Sequence, residues 1–291
     1  MTAARIRPAE ENIHHLEYSC MPKPVALIVV PFHMGLENSA VGAGPNRLLE
    51  AGADRVLAYR GRPAEVEHIR LRDAESSDLD AVVDIGRQIR KSVRRAGEQE
   101  MLPVVLAGNC NSCIATLAGL EPAQTGIVWL DAHPDFHTPA TSLSGHLDGM
   151  ALSMALGQCH EDLLGRIGFR QPVSEDKVCL LGYRDVEPGE RERLAASAIS
   201  NQPPTDVEAV YLHIDLDVLD PEESPGVNCR TPGGWTLEQA CATVRSVAAE
   251  LPLAAVGLTN YRPDFDPDGK SARAALRILS ELNASILSRP N

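Results

Sequence analysis

The 291-residue sequence contains no apolar run near the roughly 20 residues that would span a bilayer, which argues against a membrane protein. Positive charge is short as well. The 27 Lys and Arg face 40 Asp and Glu, a formal net charge of -13 at pH 7, so the surface repels phosphate backbones and anionic lipid. Nucleic acid and membrane are therefore not expected as partners, and a small molecule or a metal cation is. Aromatic residues make up only 4%, yet the hydrophobic (44%) and charged (23%) fractions are ordinary, which excludes wholesale disorder, a collagen-like repeat and a disulfide mini-scaffold. Met1-Thr2-Ala3-Ala4-Arg5 runs into polar residues without an apolar signal core, so a cytoplasmic location is expected. The seven cysteines are an odd number and read most simply as reduced thiols. No internal repeat and no long linker interrupts the chain, and residues 1–291 are expected to form a single domain.

Short apolar runs rich in β-branched residues recur at Val25 to Pro31, Pro103 to Ala107, Gly126 to Leu130, Lys177 to Leu181, Ala209 to Asp215 and Leu253 to Leu258. Continuous runs of this kind suit strands buried on both faces, as in a parallel sheet. Helical periodicity lies between them, in Asp78 to Glu98, in Thr236 to Glu250 with its Thr236-Leu237-Glu238-Gln239 capping pattern, in Ile114 to Leu120 and in Ala272 to Leu287. Strands alternating with helices predict an α/β fold, a mostly parallel central sheet covered by helices on both sides.

Open α/β sheets bind ligands at the carboxyl ends of their strands. Three such ends are chemically unusual. Asp131-Ala132-His133-Pro134-Asp135 sets three metal-competent side chains within five residues, and buried carboxylates are costly unless paired or metal-bound. In His213-Ile214-Asp215-Leu216-Asp217, Asp215 and Asp217 share a strand face, so one carboxylate pKa would rise sharply unless a cation intervened. His213 lies on the same face, where a strand histidine is more often a hydrogen-bonded core residue than a ligand. Asp220 before Pro221 reads as turn chemistry. The third end, Gly108-Asn109-Cys110-Asn111-Ser112-Cys113, is compatible with a thiol redox pair opening a helix or with one thiolate completing a metal site. Other scans give only turns: Gly42-Ala43-Gly44-Pro45 lacks the remainder of a dinucleotide fingerprint, Asp264 to Gly269 lacks the closing glutamate of a calcium loop, and Gly269-Lys270-Ser271 lacks the first glycine of a phosphate loop.

The order of these motifs resembles the ureohydrolase family of arginase, agmatinase and formiminoglutamase. Gly42-Ala43-Gly44-Pro45 resembles its N-terminal segment, and Arg184-Asp185-Val186-Glu187-Pro188-Gly189-Glu190 its central loop. The resemblance implies a three-layer α/β/α protein that holds two divalent ions, manganese first, and uses a metal-activated bridging water to hydrolyse a non-peptide C–N bond. It implies a homo-oligomer, a trimer or hexamer. Carried over by position, Asp131 and Asp215 bridge the ions, Asp135 completes one site, and His133 with Asp217 completes the other. Where the family has a histidine ligand this chain has Cys110, as do relatives of the Nω-hydroxyarginine hydrolase type, and a thiolate favours Zn²⁺ or another borderline ion.

Two further departures concern the substrate. His137 and His146 stand where arginases carry asparagines, and Asp148 stands for the histidine that shuttles a proton, a task for which a carboxylic acid suits only if buried. Ser144 and Glu187 resemble substrate-orienting residues. Asn260 replaces a glutamate that pairs with the substrate guanidinium, and a neutral amide cannot form that charge-assisted fork. The expected substrate is accordingly a less basic guanidine, a hydroxyguanidine or an amidine. The alternatives are a non-catalytic relative that binds metal or ligand and, from Cys110 and Cys113, a thiol redox protein.

Overall fold

The computed structural model describes residues 23–72, 77–120 and 125–289. Cys20 and the N-terminal stretch inspected for a signal lie outside the described residues. The strands are β1 (Val25–Val30), β2 (Phe32–His33), β3 (Leu36–Glu37), β4 (Glu65–His68), β5 (Leu102–Ala107), β6 (Thr125–Leu130), β7 (Val178–Leu181), β8 (Ala209–Asp215) and β9 (Leu253–Thr259). The α-helices are α1 (Gly44–Ala51), α2 (Ala53–Val56), α3 (Asp78–Glu98), α4 (Ser112–Gly119), α5 (Ala151–Ala155), α6 (Glu161–Ile167), α7 (Pro188–Ala196), α8 (Leu237–Glu250) and α9 (Lys270–Leu287).

Seven strands form one sheet in the order β4-β1-β5-β9-β8-β6-β7, with parallel pairing between neighbours. The near-continuous burial of β5, β6 and β8 follows from cover on both faces. One apolar layer joins the sheet to α3, α4, α5 and α6, with Val83, Ile89, Ile114, Leu117 and Leu163 in it. The opposite layer joins it to α1, α2, α8 and α9 through Leu48, Ala53, Val244, Ile278 and Leu282. The α/β/α architecture expected from the sequence is thus present. Among the described residues no helix is long and apolar enough to cross a membrane.

Several boundaries differ from expectation for local reasons. Edge strand β4 has the sequence Glu-Val-Glu-His and three exposed residues, so it carries no apolar run and is held by pairing to β1. Helix α9 starts at Lys270 rather than Ala272 because the Asp266 carboxylate accepts hydrogen bonds from the Ser271 and Ala272 amides. That same cap absorbs the residues that superficially resemble a calcium loop. Helix α8 has the full capping box, Thr236 accepting from the Gln239 amide and Gln239 from the Thr236 amide.

Candidate metal centre

Four adjacent strands, β5, β9, β8 and β6, bring their carboxyl ends together in the middle of the sheet. Side chains alternate along each strand, so Trp129 and Asp131, Tyr211, His213 and Asp215, and Gly257 and Thr259 fall on one face. Register aligns them across strands, with His213 opposite Trp129 and Gly257, and Asp215 opposite Thr259. The outcome is a compact group at the end of an apolar layer. Donor atoms of Cys110, Asp131, His213 and Asp215 lie within 4.8 Å of one another, as do those of Asp131, His133 and Asp217. Asp131 belongs to both sets.

Each carboxylate is fixed by neighbours. Asp131 accepts from Trp129 Nε1 at 3.1 Å and the His133 amide at 2.7 Å. Asp215 accepts from Cys110 Sγ at 3.0 Å, Thr259 Oγ1 at 3.1 Å and the Asp217 amide at 2.8 Å. Asp217 accepts from the Ala132 amide at 3.0 Å. His133 Nδ1 stands 3.3 Å from Asp131 and 3.1 Å from Asp217. Asn260 bridges the pair on β8, its Nδ2 donating to Asp215 at 2.9 Å and Asp217 at 3.0 Å, while its Oδ1 accepts from the Asn228 amide. Both ends of that amide are therefore engaged. Its left-handed φ of 67° and that of Asp135, 51°, put two strained non-glycine residues at the site.

The electrostatics of the protein without ions are unfavourable. Burial, reinforced by Asp217, pushes the Asp215 carboxyl up to about 8. Burial and neighbouring carboxylates likewise raise Asp131, Asp135 and Asp217. Burial raises the Cys110 thiol well above its ordinary value, with Asp215 adding to the effect. Desolvation opposes a charge on His133, but its hydrogen bonds to Asp131 and Asp217 overcome this and raise it. An imidazolium there serves as a partial countercharge. His213, in contrast, is fully buried and pushed down to about 3, hence neutral. Asp135 is 6% exposed, and its Oδ2 has no hydrogen-bond partner among the described residues. Carboxylates crowded in this way, with one buried oxygen left unpaired, fit divalent ions.

The remaining expected residues lie around this group. Asp148 accepts from Asn109 Nδ2 and, at 3.4 Å, from the Asn111 amide; burial raises its carboxyl, while the Asn109 hydrogen bond opposes the rise. His137 is buried and turned toward α7, with Nδ1 3.1 Å from Thr141 Oγ1 and Nε2 3.3 Å from Glu187 and 3.7 Å from Glu190. Ser144 and His146 are exposed, and Ser144 Oγ accepts from the His146 amide. Glu187 is exposed except at its His137 contact. Cys113 points into the apolar layer of α4, and burial raises its thiol well above the ordinary value. Neither thiol of the Cys110–Cys113 pair is thus poised as the thiolate that disulfide exchange requires. Asp220 makes turns, accepting from the amides of Glu222, Gly233 and Gly234.

Several contributors carry weaker sequence signals. Thr259 is the polar end of an otherwise apolar strand, and Asn109 is the residue before Cys110. Glu190, buried at the start of α7, accepts from the Phe136 amide and so braces the loop that carries Asp135 and His137. Arg184 donates to the carbonyls of Asp217, Val218, Leu219 and Thr231, which fixes the turn after β8.

Residues 23–284 match the Arginase family. The arginase of Brevibacillus brevis is 27% identical, the alignment covering 90% of this chain and 98% of that protein. The crystal structure of the Bacillus subtilis arginase superposes with a TM-score of 0.80 at 24% identity, covering 92% of this chain and 99% of the other. The formimidoylglutamase of Bacillus subtilis shares the fold at 14% identity, with a TM-score of 0.71 over 100% of this chain and 98% of that one. With nearly the whole chain matched and carboxylates gathered at the strand ends of the same fold, the protein belongs to the arginase family of metal-dependent hydrolases acting on guanidino and amidino C–N bonds.

Proposed function

We propose that the chain is a cytoplasmic hydrolase of a weakly basic guanidine, hydroxyguanidine or amidine, with two divalent ions held by Cys110, Asp131, His133, Asp135, Asp215 and Asp217. The observation that carries this reading is the convergence of Cys110, Asp131 and Asp215 in one donor group and of Asp131, His133 and Asp217 in another, with a buried, unpartnered oxygen on Asp135 close enough to feel the charges of Asp131 and Asp215. Asp131, His133 and Asp217, an oxygen-rich set with one imidazole, suit Mn²⁺. Bound divalent ions would supply Lewis acidity and a water acidic enough to act as a nucleophile near neutral pH.

The chain's own groups would then position substrate and move protons. Asp148 sits beside Asn109 with its carboxyl raised by burial, so it holds a proton further toward neutral pH than a surface carboxylate and can pass it to the leaving nitrogen. His137, on Thr141 and Glu187, and the exposed His146 would assist Asp148 in that transfer. Ser144 and Glu187 would meet the polar end of the substrate. The end of β9 presents Thr259 and Asn260, neither of which can pair ionically with a guanidinium, and this favours the less basic substrate. By the same reading the protein assembles as a homo-oligomer, which light scattering would reveal as a mass well above 31.3 kDa.

The test is a substrate panel of arginine, an Nω-hydroxylated guanidine and linear amidines, assayed with metal-loaded protein for urea, hydroxyurea and ammonia. Turnover of a weakly basic member with higher kcat/KM than arginine is expected. Absence of turnover across the panel in metal-loaded protein would favour the non-catalytic alternative.

A further inference from the structure

His213 differs from an ordinary core histidine. It is fully buried on β8, yet its ring is held on three sides in a way that leaves one nitrogen directed at the carboxylate and thiol group. Trp129, opposite it on β6, stacks on the ring with centroids 3.7 Å apart and planes 14° from parallel. The same indole donates to Asp131, so one side chain orients two members of the group. On the other side β9 presents Gly257, and a Cβ there would come within 2.2 Å of the Tyr211 hydroxyl. The missing side chain makes room for that hydroxyl, which lies 2.9 Å from His213 Nδ1. Nε2 faces Thr259 Oγ1 at 3.5 Å, and this oxygen is itself 3.5 Å from Cys110 Sγ and 3.1 Å from Asp215 Oδ2.

We infer that His213 is a metal ligand, and that Cys110, His213, Asp131 and Asp215 form a four-donor site for a borderline cation such as Zn²⁺ or Co²⁺ in preference to Mn²⁺. The four donor atoms already lie within 4.8 Å of one another, enough in number for a four-coordinate ion. One sulfur and one imidazole among two carboxylates favour a borderline ion. Tyr211 plays the part of the outer partner that fixes the tautomer of a ligating imidazole, accepting from Nδ1–H so that the Nε2 lone pair faces the ion. Ligation forms a metal–sulfur bond and releases the proton that Cys110 now donates to Asp215. Nothing is oxidised or reduced.

This inference rests on the reading of the group as a metal centre, and Co²⁺ separates the two. The first equivalent of Co²⁺ added to metal-free protein should bring a near-ultraviolet thiolate-to-cobalt band and the intense visible bands of a four-coordinate ion. Cys110→Ser should abolish the ultraviolet band. His213→Gln, with an unchanged far-ultraviolet circular dichroism spectrum, should weaken binding of that equivalent at least about tenfold and reduce the visible intensity. Competition should favour Zn²⁺ over Mn²⁺ at this site. A folded His213→Gln protein with wild-type affinity and spectrum would overturn the inference while leaving the metal centre standing; failure to bind any divalent ion would overturn both. Should His213→Gln not fold, X-ray absorption of His133→Ala protein carrying one Zn²⁺ decides the matter. One sulfur with imidazole scattering supports His213, and sulfur without imidazole contradicts it.

Discussion

Asn260 shows how much of this site depends on single side chains. Its one NH₂ group holds Asp215 and Asp217 together, and its carbonyl is held by the Asn228 amide. Asn260→Asp exchanges two donated hydrogen bonds for a further negative charge, and should destabilise the metal-free protein by about 2–4 kcal/mol in urea denaturation, with most of the loss recovered on adding divalent ions. Glu190 gives a pH prediction. Burial raises its carboxyl from 4.5 to about 7, opposed by the Phe136 amide and by His133. The native state then holds a proton that the unfolded chain has lost, so this group's contribution is full below pH 4.5 and disappears as pH rises through about 7. Glu190→Gln keeps an acceptor for the Phe136 amide, and its stability relative to wild type should rise by about 1–2 kcal/mol between pH 4.5 and pH 7.5, allowing for solvent screening. Parallel denaturation curves at the two pH values test this. The carboxylates and Cys110 were legible in the sequence because such groups at the ends of apolar strands need a reason. Glu190 was not, because its burial depends on α7 folding back over a loop about fifty residues earlier in sequence.

Secondary structure was legible where local chemistry and burial agree. Helix α3 spans the expected Asp78–Glu98 because one apolar face, a Ser77 cap and an exposed row of arginines point the same way. Strand β4 was invisible because an edge strand is specified by backbone pairing with β1 and not by its own polar sequence. The turn after β8 is likewise a matter of tertiary contact, since Arg184, far away in sequence, supplies donors to consecutive carbonyls. Arg184→Met should leave those carbonyls short of partners and cost about 2–4 kcal/mol, seen as a lower Tm. Arg184→Lys should recover only part of it, because a compact ammonium cannot reach as many acceptors as the planar guanidinium. Because this turn holds Asp217, both variants should also bind the second divalent ion more weakly in metal titration.

For the whole molecule, the parallel order β5-β9-β8-β6 gathers into one place groups separated by more than a hundred residues: Cys110 lies 105 residues from Asp215 and 149 from Thr259. Motif order alone suggested this assembly through resemblance, whereas strand order and register explain it physically. The partners of His213 could not be read from sequence, since they depend on which strands flank β8. Part of the surplus of negative charge is accounted for by these inward-facing aspartates. On the proposed function these aspartates are there to hold metal. Elemental analysis of purified, metal-replete protein alongside Asp131→Ala/Asp215→Ala tests it most directly. About two divalent ions per wild-type chain are expected, and loss of both in a folded double variant, because Asp131 belongs to both donor sets while Asp215 belongs to one and holds the backbone amide of Asp217 in the other. A wild-type chain without bound divalent ions, or a double variant that keeps two, would contradict it.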